Sequence, residues 1–340
     1  MTSDTDGPKD NRNLKWAMGG VAAVAVLATI VAAVLLFGDG GSGGPKDGSD
    51  NGPGQETAAV ASAKDTGPVA VITDDPSCTA WASINNELAN SGQGLWNDRD
   101  RSVPASAWTP KQRAQFIAAG QSMRSAAAQT VGLVKLTPHR VMRELYQQFI
   151  AYARAYSERI PKYTPADNNL AGAANSASSA LGSICASISD GPAAARGPLV
   201  TPSAPPSDIA PVGNLASPQP FLTSDNNVCP EWKSALDQFG QQTAQWQQLD
   251  PNVPSIYWNK EQKAVNYAVG PVMNSFAGKL EQLGRQSDNS IWQDIANLSA
   301  QYRRAFVTAL PTYTPTDNHL ANAANFASTT ILGGCAAVAE

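Results

Sequence analysis

Histidine is nearly absent from this sequence, with two in 340 residues, and charged residues make up only 15%. The two histidines are His139 and His319. They fall at different places in an internal repeat described below, so they form no recurring base. No G-x-S-x-G, no H-E-x-x-H and no Glu-x-x-His pattern occurs, and no glycine loop of the phosphate-cradling kind. That removes the common hydrolase, zinc-protease, di-iron and nucleotide-binding arrangements, so no catalytic residue, metal or cofactor is expected. The net charge of −4 carries no nucleic-acid footprint. Strand-forming residues are sparse after the first forty positions while alanine is abundant, which points to helices.

What is present begins with one long apolar run. Residues 16–37, WAMGGVAAVAVLATIVAAVLLF, hold no charge over 22 positions, and a bilayer core needs about 20 apolar residues in a helix. Lys9, Arg12 and Lys15 precede it. Charge asymmetry therefore predicts a tail at 1–15 in the cytosol, an uncleaved transmembrane helix at 16–37, and the bulk of the chain outside the plasma membrane. Four cysteines in an exported chain predict disulfides rather than metal ligation.

Residues 38–75 are rich in Gly, Ser, Asp and Pro and predict a disordered stalk; residues 187–226 predict a disordered Pro-rich linker. The segments after each match one another at an offset of 150. SVPASAWTPKQ (102–112) faces NVPSIYWNKEQ (252–262), and IPKYTPADNNLAGAAN (160–175) faces LPTYTPTDNHLANAAN (310–325). Cys185 faces Cys335; Cys78-x-x-Trp81 faces Cys229-x-x-Trp232 at 151. A period this long marks duplicated domains, at 76–186 and 227–340.

Each copy predicts four helices. Thr109-Pro110-Lys111-Gln112 and Asn259 with Gln262 have the pattern of capping boxes; Thr137-Pro138, Ser287-Asp288, Thr164-Pro165-x-Asp167 and Thr314-Pro315-x-Asp317 mark further starts. Apolar residues follow at 3,4 spacing, as in Met142, Leu145, Phe149 and Tyr152. The predicted fold class is all-α: a transmembrane helix and two tandem disulfide-closed four-helix bundles joined by disordered linkers. In an up-down-up-down bundle the start of helix one and the end of helix four share an end. That selects the pairs Cys78–Cys185 and Cys229–Cys335, each loop worth up to ~4.7 kcal/mol.

Two sets of residues are binding candidates. Asp167, Asn168, Asp317 and Asn318 recur in the YTPxDN tract, where capping explains them at least as well as ligand binding. Arg140, Arg143 and Arg154 belong to a charge difference between the copies: residues 76–185 carry a net +5 and residues 227–335 a net −1. On a helical wheel these arginines lie opposite Met142, Leu145 and Phe149. They predict a solvated face, paired through Arg140–Glu144 and Arg154–Glu158; the sharper alternative is that this face leans on anionic lipid or an acidic envelope polymer. Trp81 and Trp232 are expected in the core, and Trp108 and Trp258, just before a helix cap, as hydrophobic staples.

With its TPHRVMRELYQQFIAYARAY (137–156) and YTPADNNLAGAAN (163–175) tracts, apolar run, stalk and Cys-bounded domains, the chain resembles a group of uncharacterised membrane proteins of mycobacteria and related actinobacteria. The resemblance implies a cell-envelope setting and carries no activity and no site residues. The expected function is non-enzymatic binding or scaffolding in the envelope, with another membrane protein as a candidate partner. The alternatives are a regulatory or sensor subunit of a larger membrane complex, and an enzyme with an unfamiliar carboxylate or tyrosine site.

Overall fold

Helix starts follow the sequence signals where side chains can satisfy the first-turn N–H groups. The computed structural model describes residues 60–92 and 99–339. In the first repeat α1 is Cys78–Gly92, α2 Pro110–Thr130, α3 Leu133–Leu136, α4 Arg140–Arg159 and α5 Asn168–Ser189. A short α6 (Pro192–Arg196) follows; then come α7 (Cys229–Gln242), α8 (Lys260–Gln286), α9 (Ser290–Ala309) and α10 (Asn318–Val338). No strand occurs among the described residues. Thr109 and Gln112 cap α2 reciprocally, and Asn259 and Gln262 do the same for α8. Two expected caps move. Thr137 and Ser287 are not N-caps: α4 starts at Arg140, and α9 starts after Asn289, whose side chain accepts from the Trp292 N–H at 3.0 Å.

Cys78 bonds Cys185 and Cys229 bonds Cys335, joining the start of the first long helix to the end of the fourth in each repeat. Trp81 and Trp232 are fully buried beside these bridges. Trp108 and Trp258 are buried as well, stacked on Phe116 and Tyr313 respectively.

The linkers correct the expected fold. Residues 187–226 are not a disordered spacer, nor are residues 60–75 part of a disordered stalk. Val69, Val71 and Ile72 from the first segment, and Ala193, Val200, Phe221 and Leu222 from the second, are buried in the same apolar core as both repeats. The two straps cross over. The Tyr302 hydroxyl of the second repeat donates to the Ile72 carbonyl, while the equivalent Tyr152 of the first lies against the Leu222 backbone. Val69 and Ser203 tie strap to strap at 2.9 and 3.0 Å. The physical reason is supply of apolar surface: each strap carries aliphatic or aromatic residues that bury well, each contributing roughly 1.5–3 kcal/mol.

α5 and α10 pack against each other antiparallel. Asn169 at the start of α5 donates to the Ala336 carbonyl at the end of α10, and His319 at the start of α10 reaches Asp190 beyond α5. The described residues form a single compact unit.

The membrane expectation is corrected too. Among the described residues no helix is long and apolar enough to cross a membrane. The segment 16–37, with the tail 1–15 and the stalk to residue 59, lies outside the described residues. A single-pass placement at the plasma membrane is therefore not supported by the described helices, whose apolar faces are buried against one another.

Candidate functional site

α4 and α9 are equivalent helices, and both are buried on nearly every side. Sixteen of the residues of α4 are buried, from Arg140 to Ser157, and α9 is buried almost continuously from Trp292 to Arg303. Each has its own bundle on one face and strap segments on the other. The arginine face predicted to be solvated is therefore interior, and the lipid-facing reading of Arg140 and Arg143 is corrected: they are 1% and 2% exposed.

Arg140 holds Asp294 of the other repeat with two parallel bonds, Nε to Oδ2 at 2.6 Å and Nη2 to Oδ1 at 3.1 Å. It also donates to the Asp65 carbonyl at 2.7 Å and to the Gly67 carbonyl, while its own N–H reaches the Asp65 carboxylate at 2.6 Å. Its partner is Asp294 rather than the Glu144 expected from spacing, since a bidentate carboxylate across the seam outcompetes a lone i,i+4 contact. Glu144 pairs instead with Arg143 at 3.5 Å and is completely buried. Glu144 and Asp294 occupy equivalent positions in the repeats, so they meet where the halves meet. Burial pushes the Glu144 carboxyl well above the usual carboxylate range; Asp294 adds to the shift, and the two arginines oppose it. Burial lowers Arg143, while Asp294, Glu144 and Asp65 outweigh burial at Arg140 and hold it above its ordinary value. The first repeat's excess of positive charge is thus spent partly inside, neutralising two carboxyls that symmetry brings together.

The other candidates sort by burial. Arg154 is half-buried and donates to the Ala216 carbonyl of the linker. Asp167 caps Thr164 and lies 3.8 Å from Arg159. Asp317 caps Thr314 in the same way but is buried, because Arg196 of the linker clamps it at 3.0 and 3.2 Å. Asn168 and Asn318 are half-buried first residues of α5 and α10. Tyr163 and Tyr313 staple the preceding loop, donating to the carbonyls of Arg101 and Pro251. This tract is structural in what it touches.

Sequence reasoning missed three features. Asp75 binds Ser77 and Thr137, and Ser77 meets the Tyr146 hydroxyl at 2.9 Å, forming a buried polar chain at the entry to α1. Arg303 is buried with its guanidinium over Phe239 at 4.6 Å, and burial lowers it to about 10. Neither cluster opens to solvent. The third is a surface furrow in the second repeat, lined by Tyr267, Pro271, Asn274, Val307, Leu310 and Pro311 and enclosing about 390 Å³. A second space of about 440 Å³ adjoins it, between α8, α9 and the stretch Leu199–Ala204. Among the described residues no group of His, Cys, Asp and Glu is placed to hold a metal ion.

No solved structure matches the chain. An uncharacterised protein of Mycolicibacterium smegmatis (strain MKD8) is 45% identical over 348 aligned residues, which cover 99% of this chain and 90% of the relative. A family model described as "Mycobacterial ESX-1 associated protein" matches residues 60–340, the two repeats together with the straps that cross between them. The chain belongs to the family of mycobacterial ESX-1 associated proteins.

Proposed function

We propose that this protein serves the ESX-1 secretion system as a non-enzymatic binding or scaffolding component. Membership of the ESX-1 associated family supplies the setting. The observation that carries the binding part is the contrast between interior and surface. Every strongly perturbed ionisable group, Glu144, Tyr146, Tyr152, Tyr302 and Arg303 among them, is sealed in the core. A catalytic acid or base has to reach its substrate. The furrow in the second repeat is instead bordered by apolar and amide side chains, as befits a surface that holds a partner.

Deleting the gene from a mycobacterium that exports ESX-1 substrates tests this reading. The amount of ESX-1-dependent protein in the culture filtrate is expected to fall and to recover when the full chain is restored. Unchanged export in the deletion strain would overturn the ESX-1 role.

A further inference from the structure

The furrow lies in the second repeat. Its residues Pro271, Asn274 and Val307 correspond to Gln121, Arg124 and Ser157 in the first repeat, which are polar. The first repeat is also filled more tightly at this place. A Cβ on Gly120 would come within 3.0 Å of Ile160, whereas one on the equivalent Gly270 would find its nearest neighbour, Val307, at 3.6 Å. Large apolar side chains also stand exposed in and around the second repeat. Tyr267, 53% exposed, lines the furrow, and Leu199, 62% exposed, lines the adjoining space. Ile256 and Tyr257, just before α8, are exposed above 70% where the first repeat has Ser106 and Ala107. At this place the second copy presents an open apolar surface.

We propose that this furrow receives an extended, proline-containing segment of a partner polypeptide. The inference deepens the binding role above and rests on it, though not on the ESX-1 setting. Its first support is continuity with an interface already made. The two spaces share Asn274 and Val307, and the far wall of the second is the chain's own strap, Leu199–Ala204. That strap follows a 3-10 turn ending at Leu199, has no regular secondary structure from Thr201 on, contains Pro202, runs on into Pro205 and Pro206, and is fixed to Val69 through Ser203. The outer surface of α8 and α9 thus already accommodates a non-helical, proline-containing stretch of chain along one border, and the open furrow continues from it.

Shape and chemistry support the same occupant. The furrow is shallow and open, which suits a chain laid along it better than a compact small molecule. Tyrosine and proline walls present flat apolar surfaces to proline rings, and the Asn274 amide can donate to a backbone carbonyl. An extended proline-containing chain keeps its carbonyls free and loses little entropy on docking. The charged pair at the edge offers no net attraction to an ionic ligand, since Arg304 and Glu281 bind each other through two bonds at 2.5 and 2.8 Å.

Fluorescence anisotropy with the full chain tests the proposal. Three labelled peptides of equal length serve as probes: a copy of residues 199–206, an alternating proline–valine sequence, and an alanine-rich helix former. The two proline peptides should bind, and Tyr267→Ala should weaken them by at least about tenfold with no change in melting temperature. Ile117→Ala, the matching change in the first repeat, should leave binding as it was. Preference for the helical peptide, binding of none of the three, or binding indifferent to Tyr267→Ala would each overturn the proposal. Self-association that depends on Tyr267, without peptide binding, would assign the furrow to a second copy of this chain and also overturn it. Peptide binding by a chain whose deletion leaves export intact would sink the ESX-1 role alone.

Discussion

A carboxyl at the point where two equivalent helices meet is brought against its own counterpart. Glu144 and Asp294 are such a pair, and the arginines at 140 and 143, where the second repeat has Ser290 and Gln293, offset the repulsion. The consequence is a defined pH dependence. Glu144 is held above its unfolded value of roughly 4.3, so the folded chain keeps a proton that the unfolded chain releases. Its contribution to stability is complete below the unfolded value and is lost as pH rises through the folded one. Glu144→Gln removes the titration and keeps the shape. The variant should match the parent in acid, within about 0.5 kcal/mol, and exceed it at alkaline pH. Melting temperatures recorded across pH check this; parallel curves for the two proteins would show that Glu144 ionises freely. The sequence displayed these residues but placed them wrongly. A helical wheel gives the direction of Arg140 relative to Met142, and says nothing about what lies on that side.

At the scale of elements, the pairing of α5 with α10 depends on small residues. A Cβ on Gly333 would lie 2.7 Å from the Cα of Ala173, a backbone atom that cannot move aside. Gly172 on the facing helix has nothing within 4 Å of its would-be Cβ. Gly333→Ala should therefore cost about 1–3 kcal/mol by forcing the helices apart, even though alanine is the better helix former. Gly172→Ala should be neutral or stabilising by up to about 1 kcal/mol. Denaturant midpoints of the two variants provide the comparison, and equal values would mean the helices do not approach this closely. Helix content and most starts were legible beforehand, because caps and 3,4 spacing act within one turn. Gly333 carries no signal of its role, since closeness to Ala173 is a property of the packed pair.

For the whole molecule, the crossed straps make two repeats into one cooperative body. Phe221 of the linker lies between Tyr152 and Trp292, at 6.2 and 6.1 Å, and so belongs to both cores. Each disulfide closes its own repeat, with sequence separations of 107 and 106, and neither crosses the seam. A protease site placed at the exposed Ser207–Asp208 should give fragments that stay associated under native conditions, and the uncut chain should unfold in a single transition. Size-exclusion chromatography after cleavage decides the point. Fragments that separate without denaturant would show that the repeats stand alone.

The sequence by itself determined the all-helical class, the duplication, the capping boxes, the cysteine pairing and the burial of Trp81, Trp108, Trp232 and Trp258. Each of these depends on residues close in sequence or on the register of one repeat against the other. The tertiary structure alone decided that the Pro-rich linker is ordered, that Arg140 and Arg143 are interior, that Asp317 is clamped by Arg196, and that the second repeat carries an open furrow. These follow from which surfaces cover one another across more than a hundred residues of chain. Local periodicity specifies that a face exists; what closes over it is set by the apolar area and charge that the rest of the fold brings to it.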